Sequence, residues 1–196
     1  MPPPKLHDAT LRTALLVQTS RLVAEHGPEA VSVRAAAAAA GTSTSAVYAL
    51  FGSREVLLSA VAQEATARFA AHLESVASSD DPVGDLLALG LAYRDSALDD
   101  PHFYRVMFDA GPARLDRLGR DEPTFGVLRS AVQRCIDDGA TADDDAERLA
   151  TTLWALVHGL VLLELAGLLG DDEDSRTTGY QLALQDMWLG LAVREQ

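Results

Sequence analysis

The strongest constraint on the fold of this chain is a segment of small residues, 32–57, that has the pattern of two short helices around a tight turn. Six consecutive alanines, 35–40, are followed by Gly41. Alanine has the highest helix propensity and a minimal side chain, so a neighbouring helix can approach this one closely. Gly41 can adopt positive φ at the helix end, and the hydroxyls of Ser32 and Ser43 can cap the flanking N-termini. The segment therefore predicts a helix-turn-helix.

The second helix of this segment has one face suited to packing and one suited to contact with another molecule. Val47 and Phe51 lie four residues apart, so both fall on the face that would pack against the preceding helices. Tyr48 and the hydroxyl-bearing residues around it remain available for an external surface. Because the second helix of a helix-turn-helix enters a DNA groove, we predict that this surface contacts DNA. The candidate DNA-binding residues are Arg34, Thr42, Ser43, Thr44, Ser45, Tyr48 and Arg54.

The order and spacing of these residues resemble the N-terminal signature of the TetR family of transcriptional regulators. The matching positions are Gly41, Ser43, Tyr48, Phe51, Ser53, Arg54, Glu55 and Leu57. The sequence departs from that signature at Ser45, where the family usually has glycine, at Leu50, where it has histidine, and at Arg54, where it has lysine. The resemblance implies a homodimeric repressor that binds a palindromic double-stranded DNA operator and is released by a small-molecule effector.

The charge distribution divides the chain into a nearly neutral head and an acidic body. The whole chain has a net charge of −13, but residues 1–60 contain five basic and four acidic side chains, which leaves −14 for the rest. DNA affinity depends strongly on neutralised phosphates, so only the head is suited to a DNA partner. The second helix of the helix-turn-helix, which would be the recognition helix, contains neither Arg nor Lys. We therefore expect its specificity to depend on hydroxyls, methyl contacts and DNA shape.

Periodicity of 3.6 residues recurs along the chain and strand-like alternation does not, so we predict an all-α fold. We expect a helix-turn-helix domain over residues 1–52 and a helical effector-binding and dimerisation domain over residues 53–196. Asp81-Pro82 and Asp100-Pro101 each have the pattern of a helix start. Beyond the helix-turn-helix, the predicted helices cover about 8–26, 53–78, 82–98, 101–109, 123–138, 142–168 and 175–193, with a loop and a short turn near 111–121.

The C-terminal part contains a second motif and a set of aromatic residues. Trp154, His158 and Gly159 resemble the Trp-x-x-x-His-Gly signature of one TetR C-terminal subclass. That resemblance implies an effector site among the middle helices, and the candidate lining residues are Tyr93, Phe103, Tyr104, Met107, Phe108, Phe125, Trp154 and His158. Aromatic residues at helical spacing fit an ordinary core equally well, and His158 could simply complete a buried hydrogen bond.

The last two helices carry apolar stripes that one chain can hardly cover alone. One stripe begins with Leu149 and Leu153, and another includes Tyr180, Leu184, Met187 and Leu191, with Leu182, Leu189 and Val193 beside it. These stripes predict a four-helix interface between two copies of the chain. His158 and Glu164 interrupt the longest apolar run, which favours a core or interface helix over a membrane span.

Other functional classes have little support in the sequence. The N-terminus lacks an apolar signal run, so we expect a cytoplasmic protein without a membrane partner. Cys135 is the only cysteine and is interpreted as a small buried residue, and the acid runs fit caps and solvated loops better than a metal site. We find no catalytic motif and no cofactor signature. The alternative to a regulator is an all-helical ligand- or partner-binding module that does not bind DNA, and an enzyme is the third possibility.

Overall fold

The computed structural model describes residues 5–108, 123–141, 145–170 and 172–191. Within those ranges the chain forms α-helices and one short 3-10 turn, Pro28–Ala30, and no extended strand. This confirms the all-α prediction. In chain order the helices are α1 Lys5–His26, α2 Val33–Ala39, α3 Thr44–Phe51, α4 Arg54–Glu74, α5 Pro82–Asp99, α6 Pro101–Phe108, α7 Pro123–Asp137, α8 Ala146–Leu165 and α9 Glu173–Leu191.

Most predicted helix starts agree with the structure to within two residues, because capping residues specify them locally. Two starts differ more: α8 begins at Ala146, after its predicted start at residue 142, and α1 begins at Lys5, before its predicted start at residue 8. Asp81 Oδ1 accepts a hydrogen bond from the Gly84 N–H at 2.9 Å, and the Asp145 side chain accepts from the Arg148 N–H at 3.0 Å. The Asp100 carboxylate has a different partner, since it accepts a hydrogen bond from Arg68 Nη1 at 3.2 Å. The predicted loop near 111–121 lies outside the described residues.

Two compact units share the chain, and neither is continuous in sequence. The first comprises the described residues of 1–68 and 100–116, and the second those of 69–99 and 117–196. Packing therefore groups α6 and most of α4 with the helix-turn-helix. The predicted boundary after Gly52 is a division by function, and it stays a prediction.

The first unit is organised around α1. This helix packs against α2, α3 and α6, and its Leu15 and Leu16 are fully buried. The predicted packing face of α3 is confirmed, since Val47 and Phe51 are buried. The guanidinium of Arg12 also lies 5.6 Å from the centre of the Phe51 ring. These contacts hold the short recognition helix by its inner face.

The second unit has an apolar core between α5, α7 and α8. Its buried members are Leu86, Val132, Cys135, Ala146, Leu149, Ala150 and Leu153, with Met187, Trp188 and Leu191 of α9 packed against them. Cys135 is fully buried, as the sequence predicted. Burial raises the pKa of its thiol to about 11, and its Sγ donates to the Pro82 carbonyl at 3.3 Å. The thiol is therefore protonated and unreactive at neutral pH.

Helices α5 and α9 approach each other closely at Gly90. A β-carbon at this position would lie 2.9 Å from Leu184 Cδ1, so only glycine fits without movement of a buried leucine. The Gly90 carbonyl accepts a hydrogen bond from the Tyr180 hydroxyl at 2.8 Å. Burial raises the pKa of that hydroxyl well above its ordinary range, so Tyr180 remains a neutral donor.

A buried ion-pair network joins α5, α8 and α9. Glu164 accepts hydrogen bonds from Arg94 at 2.6 and 2.7 Å and from Arg176 Nε at 3.3 Å. Arg176 also donates to the Gly170 carbonyl at 2.8 Å, and the Arg94 guanidinium lies 5.7 Å from the centre of the Tyr180 ring. Two guanidinium groups thus compensate one carboxylate inside the unit.

Candidate DNA interface and ligand sites

The turn between α2 and α3 has the geometry that the sequence predicts. Gly41 has φ 65°, and the Thr42 N–H donates to the Ala37 carbonyl at 2.9 Å, which closes the end of α2. The Ser32 hydroxyl caps α2 by accepting from the Ala35 N–H at 3.1 Å. The Ser43 hydroxyl caps α3 by accepting from the Ala46 N–H at 3.2 Å. The two helices are therefore specified from both sides of the turn.

The face of α3 opposite its packing residues is exposed and uncharged. Tyr48 is 54% exposed, and the Ser43, Thr44 and Ser45 side chains are also exposed, while Thr42 is partly buried. Arg34 is exposed on α2. The structure thus groups the predicted DNA-binding residues of the turn and α3 on one outward surface, here called the recognition face (residues 42–45 and 48). Its contact with DNA remains a prediction.

Arg54 has a role inside the first unit that the sequence did not reveal. Its Nε donates to the Val31 carbonyl at 2.6 Å and its Nη2 donates to the Pro28 carbonyl at 2.5 Å. These bonds tie the start of α4 to the 3-10 turn before α2. Nη1 lies 3.9 Å from Glu55 Oε1. The predicted phosphate contact of Arg54 stays a prediction.

Four of the predicted effector-site residues meet in the second unit. The Trp154 Nε1–H donates to the Tyr93 hydroxyl at 3.3 Å, and that hydroxyl lies 3.1 Å from His158 Nδ1. The Phe125 and Trp154 ring centres are 5.9 Å apart. The Trp-x-x-x-His spacing places Trp154 and His158 on one face of α8, where both reach Tyr93 of α5. We call these four residues the aromatic cluster.

The other four predicted effector-site residues lie on α6, in the first unit. Phe103, Tyr104 and Met107 are buried. The Arg68 guanidinium lies 4.6 Å from the centre of the Phe103 ring, and the Tyr104 and Phe108 ring centres are 4.7 Å apart. These contacts fit the alternative that the sequence left open, an ordinary core. Their assignment to an effector site stays a prediction.

Sequence reasoning missed a cleft of about 470 Å³ that contains none of the predicted effector residues. It lies in the second unit between the C-terminal end of α4, α5 and α7. Its lining residues are separated by up to 61 positions in the sequence, and its apolar members have ordinary helical spacing. No local pattern could therefore have indicated it.

Large apolar side chains remain exposed on α8 and α9. Leu162 and Leu163 of α8 are 39% and 43% exposed, and Leu182 and Leu189 of α9 are 51% and 68% exposed. Most of the predicted stripes pack inside the unit instead: Leu149, Leu153, Tyr180 and Leu184 are buried, and Met187 and Leu191 pack against the core. Val193 lies outside the described residues. α8 is by itself long and apolar enough to cross a membrane, with a mean hydropathy of 1.4 over its 18-residue window. One such helix is weak evidence for a span, and it also fits an interface helix.

Metal-binding chemistry has no visible basis in the described parts of the chain. No group of three or more His, Cys, Asp or Glu side chains in those ranges could hold a metal ion.

Comparison with protein families matches both ends of the chain. Residues 15–61 match the model described as bacterial regulatory proteins, tetR family. Residues 86–187 match the model described as tetracyclin repressor-like, C-terminal domain. No curated protein sequence matches the chain.

Solved structures with the same fold cover nearly the whole chain. A protein of unknown function from a Rhodococcus species has 27% sequence identity and a TM-score of 0.73, with 93% of this chain and 96% of that chain covered. A TetR family transcription regulator from Marinobacter aquaeolei has 24% identity and a TM-score of 0.76, covering 97% and 100%. A TetR family transcriptional regulator from Thermus thermophilus has 22% identity and a TM-score of 0.72, covering 92% and 99%.

Proposed function

Because the chain belongs to the TetR family of bacterial regulatory proteins, we propose that it is a repressor that binds an operator as a homodimer and is released by a small molecule. The observation that carries this proposal is the recognition face. A short helix is held from inside by Val47 and Phe51 and presents Tyr48 and a group of hydroxyls outward. Such a surface is suited to a DNA groove.

In the proposed complex, α3 of each copy enters a major groove. Two copies would then read half-sites separated by about 34–36 Å or a multiple of it, so the operator is a palindrome. Tyr48, Thr42, Thr44 and Ser45 contact phosphates or base edges, with Ser43 at the helix start and Arg34 and Arg54 on flanking phosphates. The acidic second unit limits non-specific attachment, because it repels DNA away from the operator.

The proposed dimer uses the exposed leucines of α8 and α9. Leu182 and Leu189 are exposed on α9, and Leu162 and Leu163 are exposed on α8. Burial of these leucines against their symmetry mates would make an isologous four-helix interface. A soluble, cytoplasmic dimer accounts for these leucines without a membrane.

The aromatic cluster supports an effector site in the second unit. Tyr93, Trp154 and His158 bring hydrogen-bonded polar atoms together with aromatic rings, and small-molecule sites combine such groups. An effector changes DNA affinity only if it binds two states of the dimer unequally. α4 is our candidate transmitter, because Arg54–Arg68 belong to the first unit and Phe69–Glu74 to the second.

The experiment is a fluorescence anisotropy titration with duplex DNA from upstream of the protein's own gene. We expect saturable binding that Thr44→Ala and Tyr48→Ala each weaken about tenfold, because one base or phosphate contact contributes about 1–3 kcal/mol. Thr13→Ala is the matched control, since Thr13 is an exposed threonine on α1 of the same unit. Equal affinity of all variants would refute the assigned surface.

A second experiment tests the dimer by sedimentation. We expect Leu189→Glu to convert a dimer into monomers, since a buried charge would oppose the apolar contact. Val56→Glu is the control, because Val56 is 52% exposed in the first unit. A monomeric wild-type chain at micromolar concentration would overturn the dimer.

The second candidate function is a ligand- or partner-binding module that does not use its head for DNA. Residues 1–60 have a net charge of only +1, and α3 contains neither Arg nor Lys. If the folded, dimeric wild-type chain binds no duplex DNA, this second candidate is favoured.

A further inference from the structure

The cleft between α4, α5 and α7 has an apolar interior and a polar rim. Leu73, Leu89, Val127 and Ala131 line it, together with Val76 and Ala77 after α4. Leu73 and Leu89 are themselves buried, so they form the floor. The rim carries Ser78, Ser130, Asp85, Arg129 and Arg134. A volume of about 470 Å³ falls within the range of known small-molecule sites.

Two of the three charged residues on this rim are paired with each other. Arg134 Nη1 donates to Asp85 Oδ2 at 2.8 Å, and its Nη2 donates to the Ser79 carbonyl at 2.6 Å. Asp85 also accepts from the Ser79 N–H at 2.8 Å and from the Ser79 hydroxyl at 2.7 Å. These bonds from Ser79 and Arg134 lower the pKa of Asp85. Its carboxylate is therefore ionised and already accepts three hydrogen bonds, one of them from Arg134.

Arg129 is the unpaired charge of the cleft. It is exposed, and its side chain has no hydrogen bond or ion pair with the other residues that the structure describes. The cleft thus has a local net charge of +1 inside a sequence region, residues 61–196, whose net charge is −14. A free guanidinium beside an apolar floor complements one negative charge attached to an apolar body.

We infer that this cleft is a binding site for amphipathic carboxylates, with the carboxylate at Arg129 and the apolar body along Leu73, Leu89 and Val127. The hydroxyls of Ser78 and Ser130 are further donors at the same rim. This site shares no residue with the aromatic cluster. The inference goes beyond the proposed function, because it names the chemistry of a ligand and concerns binding without DNA.

Gly126 supplies a variant that closes the cleft. It lies on α7 and lines the cleft, and a β-carbon at this position would meet no atom within 4 Å. A larger side chain therefore enters open space, and replacement of a helix glycine by leucine also favours the helix. Gly126→Leu should fold and occupy the volume that an apolar body needs.

The test is isothermal titration calorimetry of the full chain with sodium octanoate, octan-1-ol and octylamine. We expect wild type to bind octanoate about tenfold more tightly than octan-1-ol, and octylamine more weakly still. Arg129→Gln should lower octanoate affinity about tenfold, the effect of one charge-assisted bond, and leave octan-1-ol affinity unchanged. Gly126→Leu should weaken both octanoate and octan-1-ol.

Arg21→Gln is the control, because it removes the same charge from an exposed position on α1 of the first unit and should not change octanoate affinity. Equal octanoate binding by wild type and Arg129→Gln, or no binding by wild type, overturns the inference. Operator titration is a separate measurement. If the chain binds octanoate but no operator, this inference stands and the proposed function fails. If the chain binds an operator but no octanoate, the proposed function stands and this inference fails.

Discussion

Arg94 on α5 and Glu164 on α8 face each other through two hydrogen bonds of 2.6 and 2.7 Å in the interior of the second unit. Their side chains are only 7% and 4% exposed. A pair buried to this degree contributes little net stability against an apolar alternative, because both charges lose their hydration. Its geometry is nevertheless specific, since loss of either partner leaves an uncompensated charge. The pair therefore fixes how α8 and α5 align.

Glu164→Gln should lower the free energy of unfolding by about 3–5 kcal/mol, because Arg94 and Arg176 would lose the carboxylate that both of them contact. Urea unfolding at a fixed protein concentration measures this. The control is Glu64→Gln, which breaks the Arg68–Glu64 pair of 2.8 Å whose side chains are 34% and 30% exposed. That change should cost no more than about 1 kcal/mol. Similar losses in both variants would contradict the argument from burial.

Acid should remove the stabilisation that Glu164 provides. Hydrogen bonds from Arg94 lower the pKa of Glu164 below its ordinary value of 4.5, more strongly than burial raises it. A lowered folded-state pKa means that the stabilisation is complete above pH 4.5 and is lost as the pH falls through the folded-state value. The difference between the unfolding midpoints of wild type and Glu164→Gln should thus be constant above about pH 6. It should shrink as the pH falls below the ordinary pKa of a glutamate. A constant difference down to the lowest pH would show that Glu164 does not titrate in this way.

The cap of the recognition helix can be separated from its exposed surface. Ser43→Ala should lower stability by about 1 kcal/mol, because the Ala46 N–H loses its acceptor. Ser45→Ala, two residues further on the exposed face, should be neutral or slightly stabilising. Thermal unfolding followed by circular dichroism distinguishes them. Identical melting temperatures would mean that the cap contributes nothing measurable.

Arg54 should stabilise the first unit through its two carbonyl acceptors. Lysine carries one ammonium and cannot reproduce a fork that reaches both Val31 and Pro28. Arg54→Lys should therefore cost about 1–3 kcal/mol in the free energy of unfolding. Arg34→Lys, at an exposed position on α2, should change it by less than about 0.5 kcal/mol. The prediction fails if the two variants unfold at the same urea concentration.

Local signals in the sequence predicted the helices and the recognition turn. Helix starts follow from side chains that cap the next few N–H groups, as at Ser32, Ser43 and Asp81, so the donor and acceptor are close in sequence. Asp100 shows the limit of such reasoning. Its carboxylate accepts from Arg68, 32 residues away, although the Asp-Pro pattern is the same as at Asp81.

The candidate sites also combine features that local sequence patterns predict with features that depend on packing between helices. The recognition face follows from 3.6-residue periodicity within eight residues of α3, and the Trp154–His158 spacing places both side chains on one face of α8. Their common contact with Tyr93, 61 and 65 residues away, depends on packing between helices. Arg129 gives no signal in the sequence, because an exposed arginine on a helix is ordinary until the cleft beside it is known.

The sequence by itself determined the all-α class, the order of the helices and the outward face of α3, because propensity, capping and periodicity act over a few residues. Only the tertiary structure decided that Arg54 ties α4 to the turn before α2, that Arg94 and Glu164 form a buried pair, and that a cleft forms beside Arg129. These relationships join positions 23 to 70 residues apart. Their energies depend on desolvation and on the shape of the packed core, and neither exists before the helices assemble.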